Sequence, residues 1–562
     1  MKKMLSVFIV FIVALIFCNA QVSVAPNNDF YEYAMHWHIE GLVDELPQLR
    51  PYPLSVVKKI LQRVIESGND DEIATAKLQY EKIFNKPWNI SVNVEEKNLF
   101  TIYDKSSNKT DRHNNTFQIT ASLQGYGDFL LSDSFGIGYR AGASFSFLET
   151  ADYVYGNVWN APRYDTFIKS IDAKAAKIDF NADCIVSYSW KKIMITAGYN
   201  RTGFSFFNDG GLAFSTYARN APQFTFMFDG KYFDFVQYFA ALEASDMLGN
   251  GSRYGKFMSL RALRIRPARR FYISLYDSVI YGKRFDVSYF IPVPSLLISE
   301  ANGFGDNVLS GIAFEWNIGG AISWIMDIAI DHLDIQQLAR FHLNSDNRVA
   351  FKTGFVFSPP KSLCKVITLD YTLIRPYMYS YLNVNDSTYN FYSYTNGGRS
   401  IGSVMPPNSD CVLLQIKLEP MKNLKVATSV SIARHVNVYE TLSDEDAEKV
   451  FAASKTGRQN SSSDGSVNTQ YMSSAMLLSG GHTMVICRGG MGCSYEFPRI
   501  KAGTFSLDMN FAYMYVINAG VDEPIYHRTG TFANAKDAKA NWERNLHDEY
   551  NIYLSVGFTY AY

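Results

Sequence analysis

Beyond its first residues, this sequence has no run of about 20 consecutive apolar residues, the length a membrane-crossing helix requires. Cysteine is scarce. There are six in 562 residues: Cys18, Cys184, Cys364, Cys411, Cys487 and Cys493. With Cys18 assigned to a leader, an odd number remains and none forms a close C-x-x-C pair, which argues against a disulfide framework or a zinc site. Neither charge sign is in excess: 53 Lys and Arg stand against 54 Asp and Glu. That balance argues against a nucleic-acid partner. No nucleophile motif accompanies His332, His435 or His482. Asp331 and His332 are neighbours in an extended pattern and so point to opposite faces. The chain is therefore expected not to be an enzyme, and no cofactor or metal motif is found.

The aromatic content is high, 15% with Tyr 37 and Phe 40. The opening "MKKMLSVFIVFIVALIFCNAQ" combines Lys2 and Lys3, a short apolar run and a small-x-small site before Gln21. This reads as a cleaved export signal over 1–20. Acylation of Cys18 is the alternative, and bulky Phe17 opposes it. An exported chain without a helix span can still cross a membrane as a closed barrel, because lipid offers no partner to unpaired backbone groups. Barrel strands alternate lipid-facing apolar with lumen-facing polar residues over about 10 positions. The last residues, "NIYLSVGFTYAY", do so: Ile552, Leu554, Val556, Phe558, Tyr560 and Tyr562 interleave with smaller or polar residues. Similar alternation runs through 504–515, 308–318 and 322–331.

The connections also alternate. Short links are expected at 127–133, 190–192, 229–232, 267–270, 319–320, 359–364, 420–422 and 498–501. Long ones fall at 103–114, 149–174, 203–212, 245–253, 283–307, 333–346, 376–410, 436–482 and 518–547. Short periplasmic turns with long extracellular loops mark an outer-membrane barrel. The pattern predicts an all-β transmembrane barrel of about 18 antiparallel strands over 88–562, with both barrel ends in the periplasm. The final strand should close against the first, and its terminal aromatic is the kind of signal read by the barrel assembly machinery. Outer-membrane lipid is the other expected partner.

Residues 21–87 read as a periplasmic helical domain. Asp29 with Glu32 resembles a capping box, Ser55 is the expected cap of a second helix that Gly68 stops, and a third runs from about Asp71 to Phe84. So small a unit is marginal alone and should dock on the barrel.

Two stretches resemble a known family. "YEYAMHWHIEGLVDELPQLRPYPLSVVKKILQRV" (31–64) is similar to the N-terminal helical segment of the Wzi family of outer-membrane capsule-assembly proteins. The block 272–316, followed by "MDIAIDHLD" (326–334), resembles that family's mid-barrel region through Tyr289, Pro292, Asp306, Asn307, Asp327 and Asp331. The resemblance implies an 18-stranded barrel with a periplasmic helical bundle that attaches or organises surface polysaccharide. A porin or substrate-specific channel is the competing reading, since a barrel of this size can hold an aqueous lumen.

Candidate contacts with glycan or lumen are Asp306, Asn307, Asp327 and Asp331, with the loop aromatics Tyr381, Tyr389, Phe391, Tyr392 and Tyr394. Acidic lumen residues more often line a wall or pair with bases, and most barrel aromatics belong to interfacial girdles. Arg261, Arg264, Arg266, Arg269 and Arg270 cluster near the 267–270 turn and are expected to reach lipid phosphates or pair with the helical domain. "SDEDAE" (443–448) lacks EF-hand spacing and reads as a solvated loop.

Overall fold

The computed structural model describes residues 29–562, apart from 85–87, 105–112, 133, 148–166, 174–175, 208–209, 247–252, 320, 335, 337–338, 341–346, 361, 383–388, 456–467, 470–474, 499, 501–502 and 527–531. The export signal and Cys18 lie outside the described residues.

Eighteen antiparallel strands close into a barrel. They are β1 Asn89–Tyr103, β2 His113–Leu130, β3 Phe135–Phe147, β4 Ala176–Trp190, β5 Ile193–Asn200 and β6 Ala221–Asp229. Then come β7 Phe233–Asp246, β8 Arg253–Ala268, β9 Phe271–Gly282, β10 Asn307–Gly319, β11 Ile322–His332 and β12 Arg348–Phe357. The last six are β13 Cys364–Ile374, β14 Ser409–Met421, β15 Leu424–Val436, β16 Thr483–Glu496, β17 Thr504–Ala519 and β18 His547–Ala561. The count and the alternation of link lengths match the sequence expectation. Closure pairs Ser91 with Ala561 and continues to Tyr103 with Glu549. Residues expected to face outward are the exposed ones, among them Ile312, Trp316, Ile318, Met509, Phe511, Leu554, Val556 and Phe558. The aliphatic and aromatic band satisfies lipid, while the backbone is satisfied by the ladder.

Tyr562 extends the last strand: its N–H donates to Ile90 O at 3.0 Å, and its ring lies 5.8 Å from that of Trp88. Deleting Tyr560–Tyr562 removes the pairing that closes the seam at this end. We expect loss of the heat-modifiable folded band on electrophoresis. Retention of that band would mean closure tolerates the missing pairs.

Three helices precede the barrel: α1 Phe30–Glu40, α2 Leu54–Ser67 and α3 Asp70–Phe84. Phe30, Ala34, Trp37, Leu54, Val57 and Leu61 are buried in one continuous core with the barrel's inner wall. Gly41 ends α1 at φ +86, a conformation favouring glycine, and any Cβ there would strike the Arg270 guanidinium. Two expected caps are corrected. Asp29 and Glu32 make no capping bonds; they pair outward with Lys425 and Lys417, because the barrel rim offers them cations. Ser55 is inside α2, which Pro53 precedes, and its Oγ bonds Ser189 Oγ at 2.8 Å.

The lumen is filled from both ends. The helical segment occupies the short-turn mouth. Link 201–220 folds inward, and the short bridge Leu49–Arg50 pairs with Gly203–Phe204 across the middle. Phe204, Phe206, Phe207, Leu212 and Phe214 are buried there. Link 375–408 also enters, burying Tyr377, Met378, Tyr379 and Tyr394. Helices α5 Asp444–Lys455 and α6 Ala535–Asn545 pack over the long-loop mouth, joined by Ala535 N to Glu448 Oε1 at 2.8 Å.

Candidate functional site

The lumen acids are structural. Asp327 on β11 accepts from Tyr276 Oη at 2.6 Å and from Leu212 N at 2.9 Å, so it pins link 201–220 to the wall. Asp331, two periods of the alternation further along β11, accepts from Tyr379 N at 2.9 Å and faces Arg348 at 3.8 Å. Asn307 donates to Tyr392 O at 2.9 Å. Tyr394 is fully buried, with its hydroxyl 2.7 Å from Ser278 Oγ; burial raises its pKa. The side chains of all four are buried. A sequence pattern reports which face a residue takes, not what fills the space in front of it.

Asp306 belongs to a different device. Segment 283–306, expected as an extracellular loop, runs down the barrel's outer wall. It carries a short turn Val287–Phe290 and helix α4 Ser295–Ala301. Asp306 clamps it by accepting from Arg284 and from Tyr289 Oη at 2.5 Å. Beneath it, Arg261 lies mid-strand on the outward face. The guanidinium donates to Tyr289 O at 2.6 Å, Val293 O at 2.7 Å and Ser295 Oγ at 2.7 Å, and pairs with Asp277 at 3.3 Å. A charged residue facing lipid is costly there, so the segment is its cover. Leu296, Leu297, Ile291 and Val287 then face outward in its place.

Arg264 and Arg266 pair with the helical segment, as one of the two sequence expectations has it. Arg264 bonds Leu46 O at 2.6 Å and Asp234; Arg266 bonds Glu45 at 2.6 Å and Asp234 at 2.5 Å. Glu45 and Asp234 carried no signal in sequence, because their partners are more than 25 residues away.

The aromatics left at the surface form one rim. Tyr389, Phe391, Tyr392 and Tyr381 are each half-buried. Arg253 lies 4.8 Å over the Tyr389 ring and Lys283 5.5 Å over Phe391. Tyr381 and Tyr392 stand 4.9 Å apart, and Tyr381 Oη donates to Gly305 O at 2.7 Å. Gly282 makes room for Phe391, whose Cβ would be 2.6 Å from any added methyl. Tyr254, beside Arg253, is 85% exposed. Together these rings and cations make a platform at the long-loop end of β8–β10, suited to apolar sugar faces and anionic substituents. Sequence reading missed its cations, although Arg253-Tyr254 and Lys283-Arg284 flank the two long links concerned.

Two of the histidines weighed in the sequence have described partners. Ser409 and His435 meet at 2.9 Å but both are fully buried. His482 is held by Glu440 at 2.6 Å. All five cysteines beyond residue 28 are unpaired thiols, as expected. The "SDEDAE" stretch is not a loop throughout: it opens α5, with Ser443 Oγ receiving the Asp446 N–H at 3.2 Å.

The class defined by these features is a closed antiparallel barrel of the outer-membrane type, with its N-terminal helices packed against the inner wall. Among solved structures, the chain is similar to Wzi of Escherichia coli, described as an outer membrane protein involved in group 1 capsule assembly and a carbohydrate-binding β-barrel. The identity is 10%, the TM-score 0.57, and the match covers 96% of this chain and 99% of that one. Pseudomonas aeruginosa OccK8 (OprE) matches at 9% identity and TM-score 0.42, covering 84% of this chain and 98% of that one. P. aeruginosa OprD matches at 11% and 0.40, covering 84% and 94%. No family model matches the chain, and no curated protein matches it in sequence.

Proposed function

We propose that this protein resides in the outer membrane after export and holds surface polysaccharide on its extracellular rim, with the helical segment closing the periplasmic mouth. The observation that carries the reading is the double filling of the lumen. The barrel's centre is packed core rather than pore, and the exposed chemistry is the ring-and-cation platform of Arg253, Tyr254, Lys283, Tyr389, Phe391 and Tyr392. The Wzi resemblance in fold and in the two sequence stretches supports it. No step of bond making is required of such a site.

Transport is the second reading, and one feature favours it. Along β1 and β14–β18 the inner wall is polar, and it borders a cavity of about 480 Å³ against α1. Glu95, Lys417, Glu419, Lys425, Asp508 and Asn510 line it. A chamber of this kind could be the lower part of a narrow path.

The test is retention of surface glycan. A null mutant should shed it, and the intact gene should restore it. At about 1 kcal/mol per ring contact, replacing Tyr389, Phe391 and Tyr392 by Ala should weaken glycan binding on the order of 100-fold, with the barrel still folded. Normal glycan retention in the null mutant would sink the proposal and leave transport.

A further inference from the structure

The helical segment contains three Lewis bases aimed at one point. His36 and Glu40 are one turn apart on α1, and Glu72 is in the first turn of α3. One ligand atom from each lies within 4.8 Å of the other two. The sequence alone signals only the His36-x-x-x-Glu40 pair, because α3 must fold back to deliver Glu72.

The hydrogen bonds fix the state of the imidazole. Ser358, in the turn between β12 and β13, donates its single proton to Lys365 O at 2.9 Å. Its Oγ therefore accepts from His36 Nδ1–H. That tautomer leaves a bare lone pair on Nε2, which faces Glu40 Oε1 at 3.5 Å. Glu40 Oε1 is buried without a hydrogen-bond partner, and its side chain is only 8% exposed. The Glu72 carboxylate lies beside it. Its Oε2 accepts from Asn69 N at 2.8 Å, and Gly68 leaves it space, since a Cβ there would come within 3.0 Å. Lys365, the nearby cation, is paired with Glu419 at 3.8 Å. Three electron pairs thus converge with no donor from a neighbouring residue between them, and Glu40 and Glu72 lie close enough to share a proton when no ion is bound. A buried unsatisfied carboxylate oxygen and an unprotonated ring nitrogen repel each other unless a cation fills the gap.

We propose that His36 Nε2, Glu40 and Glu72 bind one divalent transition-metal ion, zinc by preference, with water completing the coordination. One nitrogen and two carboxylate oxygens form a donor set that zinc accepts. Ser358 supplies the outer hydrogen bond that orients a ligating histidine. The ion ties α1 to α3 and, through Ser358, ties the helical plug to the barrel wall. Its role is to lock the plug.

The test uses untagged, full-length protein in detergent, stripped with EDTA and titrated with Zn²⁺ against a chromophoric chelator. One saturable equivalent is expected, with a higher melting temperature when loaded. Cobalt should occupy the same site and give the visible absorption of a low-coordinate centre. His36→Gln and Glu72→Gln should each weaken the affinity at least tenfold while the heat-modifiable barrel band persists. Ser358→Ala should weaken it about tenfold, in the range seen when an outer-shell partner is lost. No saturable zinc, or saturable zinc indifferent to both ligand substitutions, would overturn the assignment. In that case a proton shared by Glu40 and Glu72 satisfies the site instead. A failure here leaves the glycan reading untouched, since the platform and this site share no residue.

Discussion

Reconstituted in a planar bilayer, the intact protein is expected to show little steady conductance, and a chain lacking 28–86 is expected to show a large increase. The physical reason is the amount of structure inside the wall. An 18-stranded barrel is wide enough for an aqueous channel. Here that volume holds α1, the Leu49–Arg50 bridge and the inward link 201–220, joined in one buried cluster. Asp327, Asp331 and Asn307 anchor the links by hydrogen bonds from backbone and side chain. A second variant guards against simple misfolding: Arg264→Ala frees Leu46 O and leaves Asp234 to Arg266 alone, so the plug loosens while the strands remain paired. It should give intermittent openings. Large steady conductance from the intact protein would overturn the closed-lumen reading and support transport through the polar arc near β1 and β14–β18.

Replacing Arg261 by Ala should be the most destabilising single change on the outer wall. It takes from Asp277 its charged partner, leaving the carboxylate only the Ser295 N–H at 2.8 Å, and removes one donor each from the carbonyls of Tyr289 and Val293 under segment 283–306. Removing one member of a buried pair costs about 3–5 kcal/mol. The double change Arg261→Leu with Asp277→Leu should cost less than the single one, because no uncompensated charge then remains under α4. Urea unfolding in liposomes, followed by tryptophan fluorescence, measures both. Equal losses in the two variants would show that the cover is held by its apolar residues and not by the ion pair. Loss in the single variant should also expose Leu296 and Leu297 to movement away from the wall, seen as faster proteolysis at 285–302.

Residue spacing by itself determined the barrel. Alternation with period two fixed which side chains face lipid, and the lengths of the links fixed strand number and direction, because both are local properties of a chain that must satisfy every backbone group in a bilayer. The positions of the three helices were legible for the same reason: Val57, Ile60, Leu61 and Val64 repeat at helical spacing and are buried. What only the tertiary structure decided is where the links go. Link 203–212 read as an outer loop, yet it fills the lumen. Link 283–307 read the same way, yet it covers the outer wall. Their destinations depend on partners far along the chain: Asp327 for Leu212, Arg261 for Tyr289, Gln48 for Ser205. The same distance hid the metal-ligand set, since His36 and Glu72 meet only after α3 folds back against α1. Local pattern specifies elements. Long-range complementarity of charge and shape specifies what they enclose.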